Sequence, residues 1–589
     1  MKRIVDSTTA VRVESDPVLT RSERGAYWCL GVLWVLANGI FWWWWLQPER
    51  IGTPWLFSLV TVAIAYDATL LPTIFLLYVG SMRRPRSLQP RPDLRVALVT
   101  LCVPKLESLD VIRAQLEALI RVEYRHDSWV LDEGNDPTVR ALAALLGVHY
   151  FSRAGVERYN QPKSPFKART KAGNVNAWLD AHGMEYDYFV QFDIDHRPQP
   201  EYLERVLGYF RDERVAWVQA PSVYGELKTW VARGAAEQEL VLQGPLQLGF
   251  FGATETPFII GSHCAYRTSA IQDIGGFQPT RAEDHLDTLM LSARGFRGVF
   301  VPEIIASGLG PESFETYLRQ QFAWAVSMMQ VLSGYTPRLL WRLSPARALQ
   351  FLFAETWYPA WSLSMLILFA TPVVALLTGQ EPAHAPLPEF LLASAPLQLS
   401  ALLIWCWTRR WHMPPGIGLS WRGMVLHIAR WPIVFWALVS CVLQLKHPYM
   451  ITPKKTHDTL TSAVSRSISI YVVAAAACLA VVWRALLTDT PRSDGYMLFA
   501  LLGAAYMLLV VVVNVTTDVS GLRGLGIGLA RSMWIRATPL LITCCWVATL
   551  GLTSALAAPH IFDAITLIQG PAPACGDLCD FSLPSSLWR

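Results

Sequence analysis

The sequence predicts an α/β domain with a mostly parallel sheet, embedded in an all-α membrane region of about seven spanning helices plus interfacial helices. Three observations lead to this class. Hydrophobic residues make up 52% of the 589 residues and charged residues only 16%, below the roughly 25% typical of soluble domains. The apolar residues collect in long runs on both sides of residues 84–338. Within that range, short β-rich runs alternate with helical patterns, which is typical of a parallel sheet covered by helices.

The apolar runs predict a multi-pass protein of the inner (plasma) membrane, because each run of about 20 residues can cross a bilayer as a helix. An arginine cluster after the second run, residues 83–91, places that end in the cytosol by the positive-inside rule. The net charge of +4 is small and dispersed and indicates no nucleic-acid partner. The predicted segments are a cytosolic N-terminus at 1–26, two transmembrane helices within 27–80, a cytosolic domain at 84–338 with an interfacial helix at 312–332, two transmembrane helices within 349–407, an interfacial helix and a loop at 419–458, three transmembrane helices within 467–557, and an extracytoplasmic tail at 558–589.

The run at 424–445 is the ambiguous one. Cationic and imidazole side chains occupy its first part and leave about 15 apolar residues, fewer than the roughly 17–25 needed to span. We therefore expect an amphipathic helix in the cytosolic interface. Seven spanning helices then place the tail outside, where Cys575 and Cys579 could form a disulfide. If the run spans instead, the tail and its cysteines lie in the reducing cytosol.

Two acidic motifs follow predicted strands. Asp132 follows a strand near 128–131, and Asp193 with Asp195 follows a strand near 188–192. Because ligands of open α/β sheets bind outside the carboxyl ends of the strands, we expect both motifs at one edge of the sheet. Residues two apart in an extended segment point to the same side, so Asp193 and Asp195 can face one cation. Two carboxylates suit Mg²⁺ or Mn²⁺, although a solvated turn is the alternative for an isolated pattern of this kind.

A second pair of acids, Glu283 and Asp284, opens a helical pattern after a loop rich in glycine and threonine. Acids at a helix start are often only favourable partners of the helix dipole. A transferase that uses a sugar diphosphate would need a base to deprotonate the acceptor hydroxyl. It would also need a cation to offset charge on the leaving diphosphate. The chain offers one carboxylate of this second pair for removing the proton, and the first pair, Asp193 and Asp195, for binding the cation.

The acidic motifs belong to a longer series of short motifs that lie between membrane helices. In order, these are Asp132-Glu133-Gly134, Lys171-Ala172-Gly173-Asn174, Asp193-Ile194-Asp195-His196, Gly261-Ser262, Glu283-Asp284, Gln320-Gln321-Phe322-Ala323-Trp324 and Tyr449-Met450-Ile451-Thr452-Pro453-Lys454-Lys455. The series resembles the processive family 2 glycosyltransferases of the cellulose synthase type, among which 1,3-β-glucan (curdlan-type) synthases are a second candidate. This resemblance implies a GT-A-type domain, an inverting hexosyltransferase reaction and a gating loop that contains the last motif.

The resemblance also implies roles for individual residues. Asp284 would be the general base, Asp195 would bind Mg²⁺ or Mn²⁺, and Trp324 would stack under the terminal acceptor sugar at the mouth of a membrane channel. An interface anchor is the alternative for this tryptophan. The other donor-side residues would be Asp132, in contact with the uridine, and Lys171, Asn174, Asp193, Lys454 and Lys455. The other acceptor-side residues would be Gly261, Ser262, Glu283 and Gln320.

Two positions depart from the family pattern. Ala323 stands where the Q-x-x-R-W motif has arginine, and Val326 replaces a second customary arginine. Because the leaving diphosphate needs matching positive charge, we expect Lys454 or Lys455 to supply it when the gating loop closes. The alternative is that these lysines only contact anionic lipid headgroups.

The resemblance therefore implies a membrane polysaccharide synthase that uses a UDP-sugar, first of all UDP-glucose, to extend a β-glucan and translocate it. Its partners would be the UDP-sugar, the polysaccharide and membrane lipids, with accessory subunits left open. A non-processive glycosyltransferase acting on a membrane lipid is the alternative among enzymes, and the gating-loop motif speaks against it. A non-catalytic channel or assembly partner is the alternative from another class, and the retained acids speak against that.

Overall fold

The computed structural model describes residues 11–278, 280, 282–445, 464–488, 494–524 and 526–566. The predicted gating loop with Lys454 and Lys455 lies outside these described residues, and so does the tail with Cys575 and Cys579. The expectations for those four side chains stay predictions.

The soluble domain is built on a seven-stranded mixed sheet with the strand order β7-β5-β6-β4-β1-β2-β3. Neighbouring strands are parallel except at β6, which runs antiparallel to β4 and β5. The predicted mostly parallel sheet is therefore confirmed, with one reversed strand. The strands are β1 (Val96–Cys102), β2 (Asp127–Asp132), β3 (His149–Phe151), β4 (Tyr188–Asp193), β5 (Val215–Gln219), β6 (His263–Arg267) and β7 (Arg297–Phe300).

Helices cover both faces of this sheet. Alternate residues of β1 enter different apolar clusters, Val96 and Leu98 on one face and Ala97 and Val99 on the other, as the two-residue period of a strand requires. A sheet buried on both faces selects nearly continuous apolar strands. The helices of the domain are Leu109–Leu119, Pro137–Leu146, Lys171–His182, Tyr202–Val206, Trp230–Val241, Gln247–Thr254, Thr268–Asp273, Glu283–Ala293, Phe314–Gly334 and Thr336–Leu339.

The two acidic motifs meet at the carboxyl edge of the sheet, as predicted. Strand β1 lies between β2 and β4, and its register pairs Cys102 with Asp132 and Leu101 with Asp193. Both aspartates therefore end their strands at the same level.

Within the described residues, eight segments are long and apolar enough to span a membrane, one more than predicted. The additional segment, Trp421–Val442, contains most of the run that we expect to lie in the interface. The structure divides it into two helices, Trp421–Ala429 and Trp431–Val442, and its interfacial position stays a prediction. The other seven candidate spans are Arg21–Trp45, Pro54–Ser81, Pro345–Thr378, Leu387–Trp411, Ile468–Leu487, Gly495–Arg523 and Ala537–Ile565.

The segment before the first membrane helix is tied to the linker after the second. Ser15–Pro17 pairs with Arg83–Pro85 as an antiparallel ribbon, and Arg86 binds Asp16 at 2.8 Å. The two segments therefore lie on the same side of the membrane, which is consistent with two crossings between them.

The third candidate span, helix Pro345–Thr378, connects the membrane region to the soluble domain. Its 34 residues extend over about 51 Å at 1.5 Å per residue, longer than the roughly 30 Å hydrocarbon core. The first turns pack on the soluble domain. There Arg347 donates to the Thr254 carbonyl at 3.2 Å and Gln350 donates to the Thr256 carbonyl at 2.7 Å.

Candidate active site

Lys171 connects the predicted motifs at the carboxyl edge of the sheet. Its ammonium donates to Asp193 Oδ1 at 2.8 Å and to the Gly261 carbonyl at 2.6 Å, and it lies 3.6 Å from Glu283 Oε1. Burial alone would lower the pKa of this ammonium, but the carboxylates of Asp193 and Glu283 outweigh burial and raise it. The lysine is therefore charged at neutral pH and joins segments that are far apart in sequence.

The helix that begins at Lys171 directs its N-terminus toward the same edge. Its cap is Thr170, whose hydroxyl accepts a hydrogen bond from the Gly173 amide at 3.0 Å. Asn174 follows one turn later; it is buried, and its Oδ1 meets no hydrogen-bond donor among the described residues. A helix N-terminus with a fixed ammonium favours an anionic group such as a diphosphate.

The candidate base lies at the start of helix Glu283–Ala293, as predicted. Asp284 Oδ1 accepts a hydrogen bond from the His285 amide at 2.7 Å. Burial raises the pKa of both Glu283 and Asp284, and the charge of Lys171 offsets part of that rise. A carboxylate with a raised pKa holds an abstracted proton more firmly than an exposed one, which suits a general base.

Gly261 lies close to both Lys171 and the candidate base, Asp284. Its φ of +75° lies in the left-handed region, and a Cβ at this position would come within 2.9 Å of Asp284 Oδ2. The short approach explains why a residue without a side chain stands between Lys171 and Asp284.

The variant Gly261→Ala is expected to lower kcat about 100-fold, because a displacement of about 1 Å at a catalytic group costs that much. Gly147→Ala is the matched control: Gly147 has a φ of +69° and open space around its added Cβ. It would suffer the same backbone strain without touching Asp284. Sugar transfer and thermal unfolding should be measured for both. Equal kcat for the two variants would contradict the contact.

Three side chains at the end of β4 form a candidate metal site. The ligand atoms of Asp193, Asp195 and His196 lie within 4.8 Å of one another. Asp193 is 40% exposed, whereas Asp195 is buried and accepts a hydrogen bond from the Leu309 amide at 3.2 Å. Two carboxylates and an imidazole fit a divalent cation. Sequence reasoning assigned the metal to Asp195 but gave no role to His196, although it is the next residue.

Asp132 lies at the same edge but is fully buried. Its carboxylate accepts hydrogen bonds from the amides of Gly134 and Asp136, at 2.7 and 2.6 Å, and from the Tyr150 hydroxyl at 2.8 Å. These bonds fix the turn that follows β2. The contact with uridine stays a prediction.

The remaining predicted acceptor residues lie on two segments. Ser262 follows Gly261 and donates to the Ser222 hydroxyl at 2.9 Å. Gln320 and Trp324, both partly buried, share one face of helix Phe314–Gly334 because they are four residues apart. Their roles in acceptor binding stay predictions.

A guanidinium from another segment lies beside the altered Q-x-x-A-W motif. Arg430, at the break in Trp421–Val442, is buried and donates to Gln321. Its guanidinium also lies over the rings of Trp357 and Trp361, at 4.8 and 5.4 Å from the centroids. Sequence reasoning missed this neighbour because it is 109 residues away from Gln321.

Comparisons with known proteins identify similarity to glycosyltransferases. The family model described as "Glycosyl transferase family group 2" matches residues 188–375. Cellulose synthase 1 of Komagataeibacter xylinus is 27% identical over 376 residues, which cover 62% of this chain and 22% of that protein. The UDP-forming cellulose synthase catalytic subunit of Komagataeibacter sucrofermentans is 26% identical over 358 residues, with 59% and 43% covered. The chain therefore spans less than half the length of these relatives.

The chain is cellulose synthase-like and carries a family 2 glycosyltransferase domain, which confirms the family predicted from the order of its motifs. The predicted fold class, a GT-A-type domain with a helical membrane region, is likewise confirmed by the mixed sheet and the long apolar helices.

Two solved structures match the chain at low similarity. A mannosyltransferase from Pyrobaculum calidifontis in complex with GDP-Man and Mn²⁺ has a TM-score of 0.44 and 16% identity, and the match covers 66% of this chain and 100% of that one. Glucosyl-3-phosphoglycerate synthase from Mycobacterium tuberculosis, in complex with Mn²⁺, UDP and glucosyl-3-phosphoglycerate, has a TM-score of 0.27 and 16% identity, with 40% and 78% covered.

Proposed function

We propose that this protein is a processive polysaccharide synthase of the plasma membrane. It transfers the sugar of a UDP-sugar, first of all UDP-glucose, to a growing β-glucan at the cytosolic face and passes the polymer outward. The observation that carries the proposal is the cluster in which Lys171 donates to both Asp193 and the Gly261 carbonyl, while Asp284 lies so close to Gly261 that an added Cβ there would come within 2.9 Å of its Oδ2. The similarity to cellulose synthases supports a polymeric product.

The chain's residues would act as follows. Asp284 removes the proton from an acceptor hydroxyl, and that oxygen forms a bond to C1 of the donor sugar from the side opposite the diphosphate. The bond between C1 and the phosphate oxygen breaks, UDP departs with the bonding electrons, and the configuration at C1 inverts. Lys171 and the N-terminus of its helix stabilise the negative charge on UDP. Asp193, Asp195 and His196 would hold Mg²⁺ or Mn²⁺, which adds positive charge at the diphosphate.

Translocation is supported by the way the site adjoins the membrane region. Helix Phe314–Gly334, which carries Trp324, packs in one apolar cluster with side chains of membrane segments such as Trp361 and Val434. In this proposal, a sugar chain held at Trp324 would pass from this helix to the membrane helices that pack against it. The gating loop, which we expect to close over the donor, remains part of the proposal.

The test is product analysis with purified full-length protein in proteoliposomes, supplied separately with UDP-glucose, UDP-galactose, UDP-N-acetylglucosamine and GDP-mannose. We expect a 1,3- or 1,4-linked β-glucan from UDP-glucose, released UDP, and dependence on Mg²⁺ or Mn²⁺. A single hexose on lipid would establish the non-processive alternative. No transfer from any donor, with metal present and the protein folded, would indicate the non-catalytic alternative.

A further inference from the structure

We propose that His285 and Glu355 form a positioning pair through which the membrane helix Pro345–Thr378 fixes the orientation of Asp284. The proposal rests on the proposed function, because it assigns a role to the neighbours of its base. Neither residue is among the site residues predicted from the motifs.

The pair is buried, and both oxygens of its carboxylate are hydrogen-bonded. Glu355 is 0% exposed and His285 only 6%. Glu355 Oε1 accepts from His285 Nε2 at 3.0 Å, and its Oε2 accepts from the Thr336 hydroxyl at 2.6 Å. The imidazole also packs against the rings of Phe258 and Phe351, with centroids 4.9 and 5.4 Å away. Each carboxylate oxygen thus has one donor, and the ring has little freedom to rotate.

The pair is connected to the base through the backbone. His285 directly follows Asp284, and its amide donates to Asp284 Oδ1 at 2.7 Å. The carboxylate that would receive the proton is therefore aligned by a residue whose side chain is fixed by Glu355. A shift of the imidazole would move this amide and with it Asp284.

The other end of the pair lies on the long helix that joins the soluble domain to the membrane. Glu355 is near the start of Pro345–Thr378, one turn after Gln350 and Phe351, which pack on the same domain. Apolar side chains could fill this site without the cost of desolvating a carboxylate, so stability alone does not explain a buried glutamate here. A directional bond to the residue beside the base does explain it.

The test compares Glu355→Gln, His285→Gln and the double variant in the full-length protein. Both substitutions nearly keep side-chain volume but remove the bond between the carboxylate and the imidazole. Each single variant should lower kcat on the order of 10–100-fold through a misplaced base, while the KM for the UDP-sugar and the affinity for UDP stay unchanged. The double variant should be no slower than the slower single variant, because the two residues act as one unit.

Gln350→Met provides the matched control. It removes a different buried contact between the same helix and the same domain, namely the bond to the Thr256 carbonyl and the bond from the Thr254 hydroxyl. If the pair positions the base, this control keeps kcat near wild type at a comparable loss of thermal stability. An equal fall of kcat in Gln350→Met, additive effects in the double variant, or a rise in KM without loss of kcat would each overturn the proposal. An inactive wild type that still binds UDP would instead refute the proposed function.

Discussion

Asp284→Asn is expected to lower kcat about 10²–10⁴-fold, the usual cost of losing a general base, while UDP binding is retained. The side chain accepts a hydrogen bond from the His285 amide at 2.7 Å. Asparagine has nearly the same size and can keep this bond, but it cannot accept the proton. Transfer of labelled sugar and UDP binding by calorimetry should be measured on the same preparation. Near-normal turnover with metal present would remove Asp284 from the role of base.

The matched control is Asp273→Asn, which removes a carboxylate from an exposed ion pair with Arg294 on the same domain. Exposed pairs contribute little to stability, so this variant should have wild-type activity.

Wild-type kcat should also fall as pH decreases, since a protonated Asp284 cannot act as base. Because burial raises the pKa of Asp284, this fall should occur at a higher pH than for an exposed aspartate.

Lys171→Met is expected to lower kcat about 10²–10³-fold, the range found when one fixed donor facing developing charge is removed. The variant should also change the dependence of kcat on pH. Burial raises the pKa of Glu283 and Asp284, and the charge of Lys171 offsets part of that rise. Without it both pKa values rise, Asp284 is protonated at higher pH, and the acid limb of the kcat–pH curve moves upward in pH.

Lys228→Met is the control for the loss of a lysine. Lys228 is 71% exposed and pairs with Glu226, so its removal should leave both kcat and the pH profile unchanged. The kcat–pH curves of the two variants and the wild type should be recorded together. A Lys171→Met variant with reduced activity but an unshifted acid limb would show that the ammonium does not control the ionisation of the base.

The sequence determined the parts of the protein that local patterns encode. The strands before Asp132 and Asp193 could be recognised because short apolar runs ended in acids, and the register across β1 places both aspartates at one edge. The helix at Glu283 and the long apolar segments were predicted for the same reason. The order of the motifs gave the family, because motif order is a property of the chain itself.

Local sequence patterns did not predict the direction of a strand within the sheet or the position at which a helix is interrupted. The reversed direction of β6 cannot be read from its sequence, because an apolar run has the same period in either orientation. The run at 424–445 is ambiguous by sequence. The division of the segment Trp421–Val442 at Arg430, and the contact of that arginine with Gln321, are visible only in the fold.

The tertiary structure alone decided how the candidate site is joined. The bond from Lys171 to the Gly261 carbonyl bridges 90 residues, and the pair of His285 and Glu355 bridges 70. Periodicity in the sequence does not predict such contacts. They form when separate segments pack together, because buried charged groups are stable only when they are paired or hydrogen-bonded. The sequence by itself thus determined which residue types stand at the edge of the sheet. Packing determined that a lysine links them and that a glutamate on a membrane helix reaches the residue beside the candidate base.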